Sequence, residues 1–422
     1  MRLRRDVMVS LQNEPIATHT ALPVDSAQSP ALPARLVSLD ACRGLVMLLM
    51  MAEVLRLKMV ALALPESTAW KFLASLQTHV PWTGASLHDF IQPCFSFLVG
   101  VALPFSIASR TARGTSTTWM TWHALWRALV LVLLGIFLRS TSQNSTNWAF
   151  EDTLTQIGLG YGFLFVLGLR PPRDAWIALG VILAGYWAGF ALWALPAPDF
   201  DYAKVGVTYG WLQANGLTGF AAHWQKNSNL AWAFDTWWMN LFPREKPFQF
   251  NAGGYATLSF IPTLGTMILG LIAGRVLRST RQADARLRWF AGAGAVCLLA
   301  GLALHFLGLC PIVKRIWTPS WTLASGGACL WTIGLCHWAL DDGGKRRWII
   351  PLVVIGANSI AAYLIVHLCQ PFIAKSLLTH LGAGWFRSFG PAYQPLLHGA
   401  ATLLVMWLLL FWMWRRKIFL KI

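Results

Sequence analysis

Charge is what this sequence has least of. Asp, Glu, Lys and Arg make up 12% of its 422 residues, about half the share of an ordinary soluble domain. A water-exposed globule is excluded on that ground, because too few ionic side chains exist to cover one. The seven cysteines, mostly inside apolar runs, form no paired framework, which excludes a disulfide scaffold. Cys329 and Cys336 share a helix face but lack histidine or acidic companions at metal spacing, so no metal is expected. No phosphate-binding Walker loop, dinucleotide glycine fingerprint or Gly-x-Ser-x-Gly elbow occurs. Residues 1–34 begin basic but lack an apolar core, so they read as a disordered cytoplasmic tail and not a cleavable signal.

What remains is apolar and aromatic. The chain is 56% hydrophobic with 24 Trp, and its mean hydropathy is +0.52. A hydrocarbon core of about 30 Å takes about 20 apolar residues as a helix. Ten runs qualify, near 40–62, 89–109, 121–138, 152–169, 174–195, 255–277, 289–309, 320–340, 349–371 and 398–414. The expected fold is an all-α polytopic bundle of about ten transmembrane helices over 35–422. The net charge of +17 sits in short clusters between runs, which fits membrane loops and excludes a nucleic-acid partner. Arg110/Arg113, Arg170/Arg173, Arg278/Arg281/Arg286/Arg288, Lys345/Arg346/Arg347 and Arg415/Arg416/Lys417 all fall on one side. That side reads as cytoplasmic, with both termini there and His79 on the opposite face.

Several polar groups sit where chemistry is feasible. His79 lies where the chain enters the bilayer, and an imidazole can exchange protons near neutral pH. Asp89 opens the second run, where it can cap a helix or fix the tautomer of His79. Glu53 lies deep along the first run, as an acid or base or paired with Arg56 at i+3. Asp40 and Arg43 share a helix face, either as an ion pair or as a site for an anionic cofactor entering from the cytoplasm. Ser359, Tyr363, His367 and Gln370 make a polar stripe preceded by Asn358, which suits either interhelical hydrogen bonding or a water-filled cavity, with His367 a candidate for substrate contact. Lys314, Arg315 and Trp317 share a short outer loop, as interfacial anchors or as a site for an anionic or sugar ligand. Trp82 is a further candidate for substrate contact. The extracytoplasmic stretch 196–252 is rich in Trp, Phe and Asn, fitting interfacial anchoring or stacking on sugar rings.

In order along the chain stand RLVSLDACRGLVMLLM, THVPWTGASLHDFIQPCFSFLVGVAL, FEDTLTQIGLGY, GGYATLSFIPTLGTMILGLIAGRVL, KRIWTPSWTLASGG and VIGANSIAAYLIVH. These stretches resemble the heparan-α-glucosaminide N-acetyltransferase family and its bacterial relatives, over residues 35 to about 370. The resemblance implies an acetyl-CoA-dependent acyltransferase in a bacterial inner membrane. It implies that His79, in His79-Val80-Pro81-Trp82-Thr83-Gly84, is catalytic, with Asp89 in the same motif. Departures occur: Ala52-Glu53-Val54 replaces an Asn-rich turn, and Leu-Thr-Gln-Ile at 154–157 replaces Leu-Gln-Arg-Ile.

The expected activity is transfer of an acyl group from cytoplasmic acetyl-CoA to an extracytoplasmic sugar. His79 serves as general base or transient acyl carrier, Asp89 orients it, and Asn358 is a candidate for the oxyanion. Expected partners are acyl-CoA, a sugar acceptor and membrane lipid, with homo-oligomerisation a further option. The rival is a proton-coupled transporter of a sugar or lipid-linked intermediate, built on Glu53, His367 and Arg127.

Overall fold

A computed structural model describes residues 37–342 and 349–420. The tail expected over 1–34 and the cluster Lys345/Arg346/Arg347 lie outside the described residues. Among the described residues ten principal helices follow one another: α1 (Val37–Met51), α2 (Ile91–Ala112), α3 (Thr117–Ser140), α4 (Thr153–Leu169), α5 (Pro172–Ala191), α6 (Phe260–Arg278), α7 (Ala283–Phe306), α8 (Pro319–His337), α9 (Ser359–Trp385) and α10 (Gln394–Arg415). Eight of them are long and apolar enough to cross a membrane; α4 is apolar but shorter, and α1 has 15 residues. No strand occurs among the described residues. The chain is an all-α, multi-pass membrane protein.

Local chemistry sets several helix starts. Ser116, Asp152 and Thr318 accept hydrogen bonds from the Trp119, Leu154 and Trp321 amides, capping α3, α4 and α8. At the centre, α2 lies directly on α6. A methyl at Gly100 would strike the Met267 carbonyl, and one at Gly270 the Phe97 carbonyl. Glycine at both places lets the two backbones touch, as membrane helices do when apolar burial alone cannot join them.

Two expected spans are corrected. The run 40–62 is not one helix: α1 ends at Met51, a 3-10 turn covers Ala52–Leu55, and Arg56 takes a left-handed conformation at φ 51° before a separate helix, Leu57–Ala63. Hydropathy continues across this break, so the break is invisible to an apolar count. The expected span 349–371 is likewise split. Ile350–Gly356 is a short helix against α1, where Gly356 meets the Asp40 carbonyl. The crossing helix is α9, which continues through residues 372–385. It absorbs Pro371, which cannot donate a backbone hydrogen bond, by widening into a π-helical turn at Ile365–Cys369.

Residues 196–252 are not a loose aromatic loop. They fold into short helices, including Tyr209–Asn215 and Leu230–Trp238. Trp224 and Ala231 share a core with Trp82, Phe190, Val313 and Ile316. This cap therefore packs on the segment that carries His79.

Candidate active site

The break after α1, the 79–84 segment, the start of α2 and the loop before α8 converge. His79 Nδ1 and Asp89 Oδ1 are 2.6 Å apart. Asp89 is buried and also accepts from the Ser86 amide and hydroxyl, at 2.9 and 3.0 Å. Asp89 thus caps the turn that opens α2 and contacts His79 in one geometry. With Asp89 as acceptor, a neutral His79 ring carries its proton on Nδ1 and keeps a lone pair on Nε2.

Lys314 does not face outward as a ligand anchor. Its Nζ lies 3.4 Å from Asp89 Oδ1 and 3.3 Å from His79 Nδ1, and the residue is 6% exposed. Because Nδ1 already donates to Asp89, the Lys314 contact that counts is with the carboxylate. Burial pulls the Lys314 ammonium below its ordinary pKa, and Asp89 opposes that shift. Beside this triad, His88 Nε2 is 3.0 Å from Glu53 Oε1. The His79 and His88 rings are 4.5 Å apart between centroids. Glu53 thus pairs with His88 and not with Arg56, because the helix break turns it toward the start of α2.

The 79–84 segment is clamped in place. Arg315 donates to the Val80 carbonyl at 3.1 Å and to the Gly253 carbonyl at 2.6 Å. Trp82 donates to the Trp224 carbonyl at 3.1 Å and is 1% exposed. Trp317 is equally buried and donates to Thr266. Expected as substrate contacts, these two tryptophans offer no ring face to a ligand here. They are packing residues that set the walls.

Toward the far end of α2 opens a cavity of about 640 Å³. Its α2 wall runs from Phe95 to Arg110, about 22 Å at 1.5 Å per residue. Asp40 and Arg43 line it together, 3.6 Å apart, so the expected pair exists and faces a void. Arg110, His123 and Arg127 add a basic wall that the sequence reading did not single out for this site. Arg127 donates to the Tyr161 hydroxyl at 3.2 Å, but its Nε is buried without a protein partner. Such a donor is costly to leave unmet. Between cavity and histidines, Gln92 donates to Gln156 at 3.2 Å, and Thr263 donates to the same oxygen.

Asn358 is not placed for an oxyanion near His79. Its amide donates to the Ile418 carbonyl at 2.9 Å and accepts from the Leu420 amide at 3.0 Å, pinning the segment after α10. Its neighbours Ala357 and Ser359 line the cavity instead. His367 stacks on Tyr363 at 4.2 Å, and Tyr363 donates to Asp152 at 3.2 Å, so the α9 stripe joins helices. Among the described residues no cluster of His, Cys, Asp or Glu could hold a metal.

Comparison with known proteins finds distant similarity. The chain is 23% identical over 378 residues to heparan-alpha-glucosaminide N-acetyltransferase of Homo sapiens, covering 79% of this chain and 53% of that protein. It is 22% identical over 330 residues to the protein of the same name from Mus musculus, covering 68% and 48%. The chain spans about half the length of the curated relatives it matches. No protein-family model matches it. The chain is thus distantly similar to these acetyltransferases.

Proposed function

We propose that this protein is a membrane acyltransferase that passes an acyl group from acyl-CoA, on the Arg110 side, to a sugar acceptor at His79. The observation that carries the reading is the cavity. It begins among Arg43, Arg110 and Arg127, rises between apolar walls, and ends at Phe95, six residues along the chain from Asp89. A phosphorylated carrier with a long, thin acyl arm fits that gradient of cationic mouth and apolar shaft. The similarity to N-acetyltransferases supports acetyl-CoA as the donor.

In this reading the Arg110 side is the cytoplasmic face of a bacterial inner membrane, both termini lie there, and the cap over 196–252 lies outside. His79 Nε2 takes the proton of the acceptor as its nitrogen or oxygen attacks the thioester carbonyl; the C–S bond breaks, and the proton passes to the thiolate. The alternative uses the same atom: Nε2 attacks first, the acyl group rides on the imidazole, and the acceptor then displaces it. Asp89 holds the tautomer in both routes. Lys314 holds Asp89 ionised and in place.

The test is CoA release and acyl transfer by purified protein with a panel of amino sugars, wild type against His79→Ala. Acceptor-stimulated CoA release that the variant lacks supports the reading. A folded wild-type sample that neither binds nor turns over acyl-CoA sinks it and returns the transport reading to the front.

A further inference from the structure

Beside His79–Asp89 stands a second histidine–carboxylate pair that the transfer chemistry above does not use. His88 Nε2 is 3.0 Å from Glu53 Oε1, and the His88 ring lies 4.5 Å from that of His79, tilted by 51°. The two pairs differ in access. Asp89 has 1% of its side chain exposed and is filled by His79, Lys314 and Ser86, whereas the Glu53 side chain is 55% exposed. Of the two carboxylates at this site, Glu53 is the accessible one. It also lies in the field of His79, His367 and Lys314. Glu53 stands in the 3-10 turn Ala52–Leu55 that follows the end of α1 at Met51.

We propose that His88–Glu53 is a separate proton acceptor, which takes the first proton from an ammonium acceptor before His79 acts. This rests on the acyltransferase reading. An amine near neutral pH arrives as R–NH₃⁺, without a lone pair, and loses two protons on the way to an amide. The first passes to His88–Glu53 and out to water through the exposed carboxylate. The free amine then forms the N–C bond as the C–S bond breaks. The second proton goes to His79 Nε2 and on to the thiolate. The balance is an ammonium and a thioester giving an amide, a thiol and one released proton. A hydroxyl acceptor, or an amine already neutral, needs only one base. Two bases side by side therefore match an acceptor that arrives protonated.

The test compares wild type, His88→Gln, Glu53→Gln and His79→Ala with acetyl-CoA between pH 6 and 9. Two acceptors are used: glucosamine, and O-methylhydroxylamine, which is neutral throughout. With glucosamine at pH 6.5, both new variants are expected to lose at least about tenfold in kcat/KM. Below the pKa of the amine their rate should climb about tenfold per pH unit, tracking free amine, while wild type stays flatter. With O-methylhydroxylamine the loss should shrink below about threefold, and His79→Ala should fail with both acceptors. An equal, pH-independent loss with both acceptors would assign the pair a structural role and overturn the proposal, as would no loss at all. Wild type that neither binds acetyl-CoA nor is active with either of the two acceptors would overturn the acyltransferase reading itself, and the proposal with it.

Discussion

The two ends of α2 handle polarity in opposite ways. At the Asp89 end the charged side chains meet partners: His79 with Asp89, Lys314 with Asp89, His88 with Glu53, Arg315 with two carbonyls. At the Arg110 end cations gather round an open cavity, and Arg127 keeps a buried N–H without a protein partner. A wired cluster fixes geometry, which proton transfer needs. A cationic cavity with an unmet donor suits the anionic donor proposed above. In the proposed reading this difference separates the place that reacts from the place that binds, about 30 Å apart along one helix.

That division can be broken at either end. The largest loss is expected at the wired end: His79→Ala should lower kcat by about 10³-fold or more while the protein still elutes as a folded, monodisperse species. Asp89→Asn should cost about 10²-fold or more in kcat with little change in KM for the donor, because the imidazole loses its tautomer. At the cavity end the signature inverts. Arg127→Ala should raise KM for acyl-CoA about tenfold with kcat nearly intact, the ordinary loss of a charged hydrogen bond.

How much of this was legible in the sequence follows the same divide. His79, Asp89 and the Asp40–Arg43 pair were visible, because residue type and spacing along one segment suffice. The roles of Lys314, Arg315 and Glu53 were not. Each acts across the chain, over 235 residues in the case of Lys314 and His79, and no local pattern encodes that. Tryptophan misled in the other direction: Trp82 and Trp317 read as ligand platforms, but whether a ring is a wall or a platform depends on what lies on both its faces. Helix count was nearly legible, whereas the breaks at Arg56 and Asn358 were not, since hydropathy averages across a single residue.

The smallest expected effect concerns the cap that holds the wired end. Asp235 is buried, with one oxygen accepting from the Thr257 amide and the other unpartnered. Burial pushes its carboxyl up to about 7, against an ordinary value of 3.8. The folded protein therefore holds this proton more tightly than the unfolded chain, so stability should fall as pH rises from about 4 to about 7 and level off above. Asp235→Asn should remove that slope, which thermal unfolding across this range reads directly.

The most direct test of the central claim is transfer across a sealed bilayer. Protein is reconstituted in one orientation, labelled acetyl-CoA is supplied only on the Arg110 side, and glucosamine only on the His79 side. Labelled N-acetylglucosamine on the His79 side, absent with His79→Ala, is the predicted result. Product that forms only when donor and acceptor share one side would contradict it.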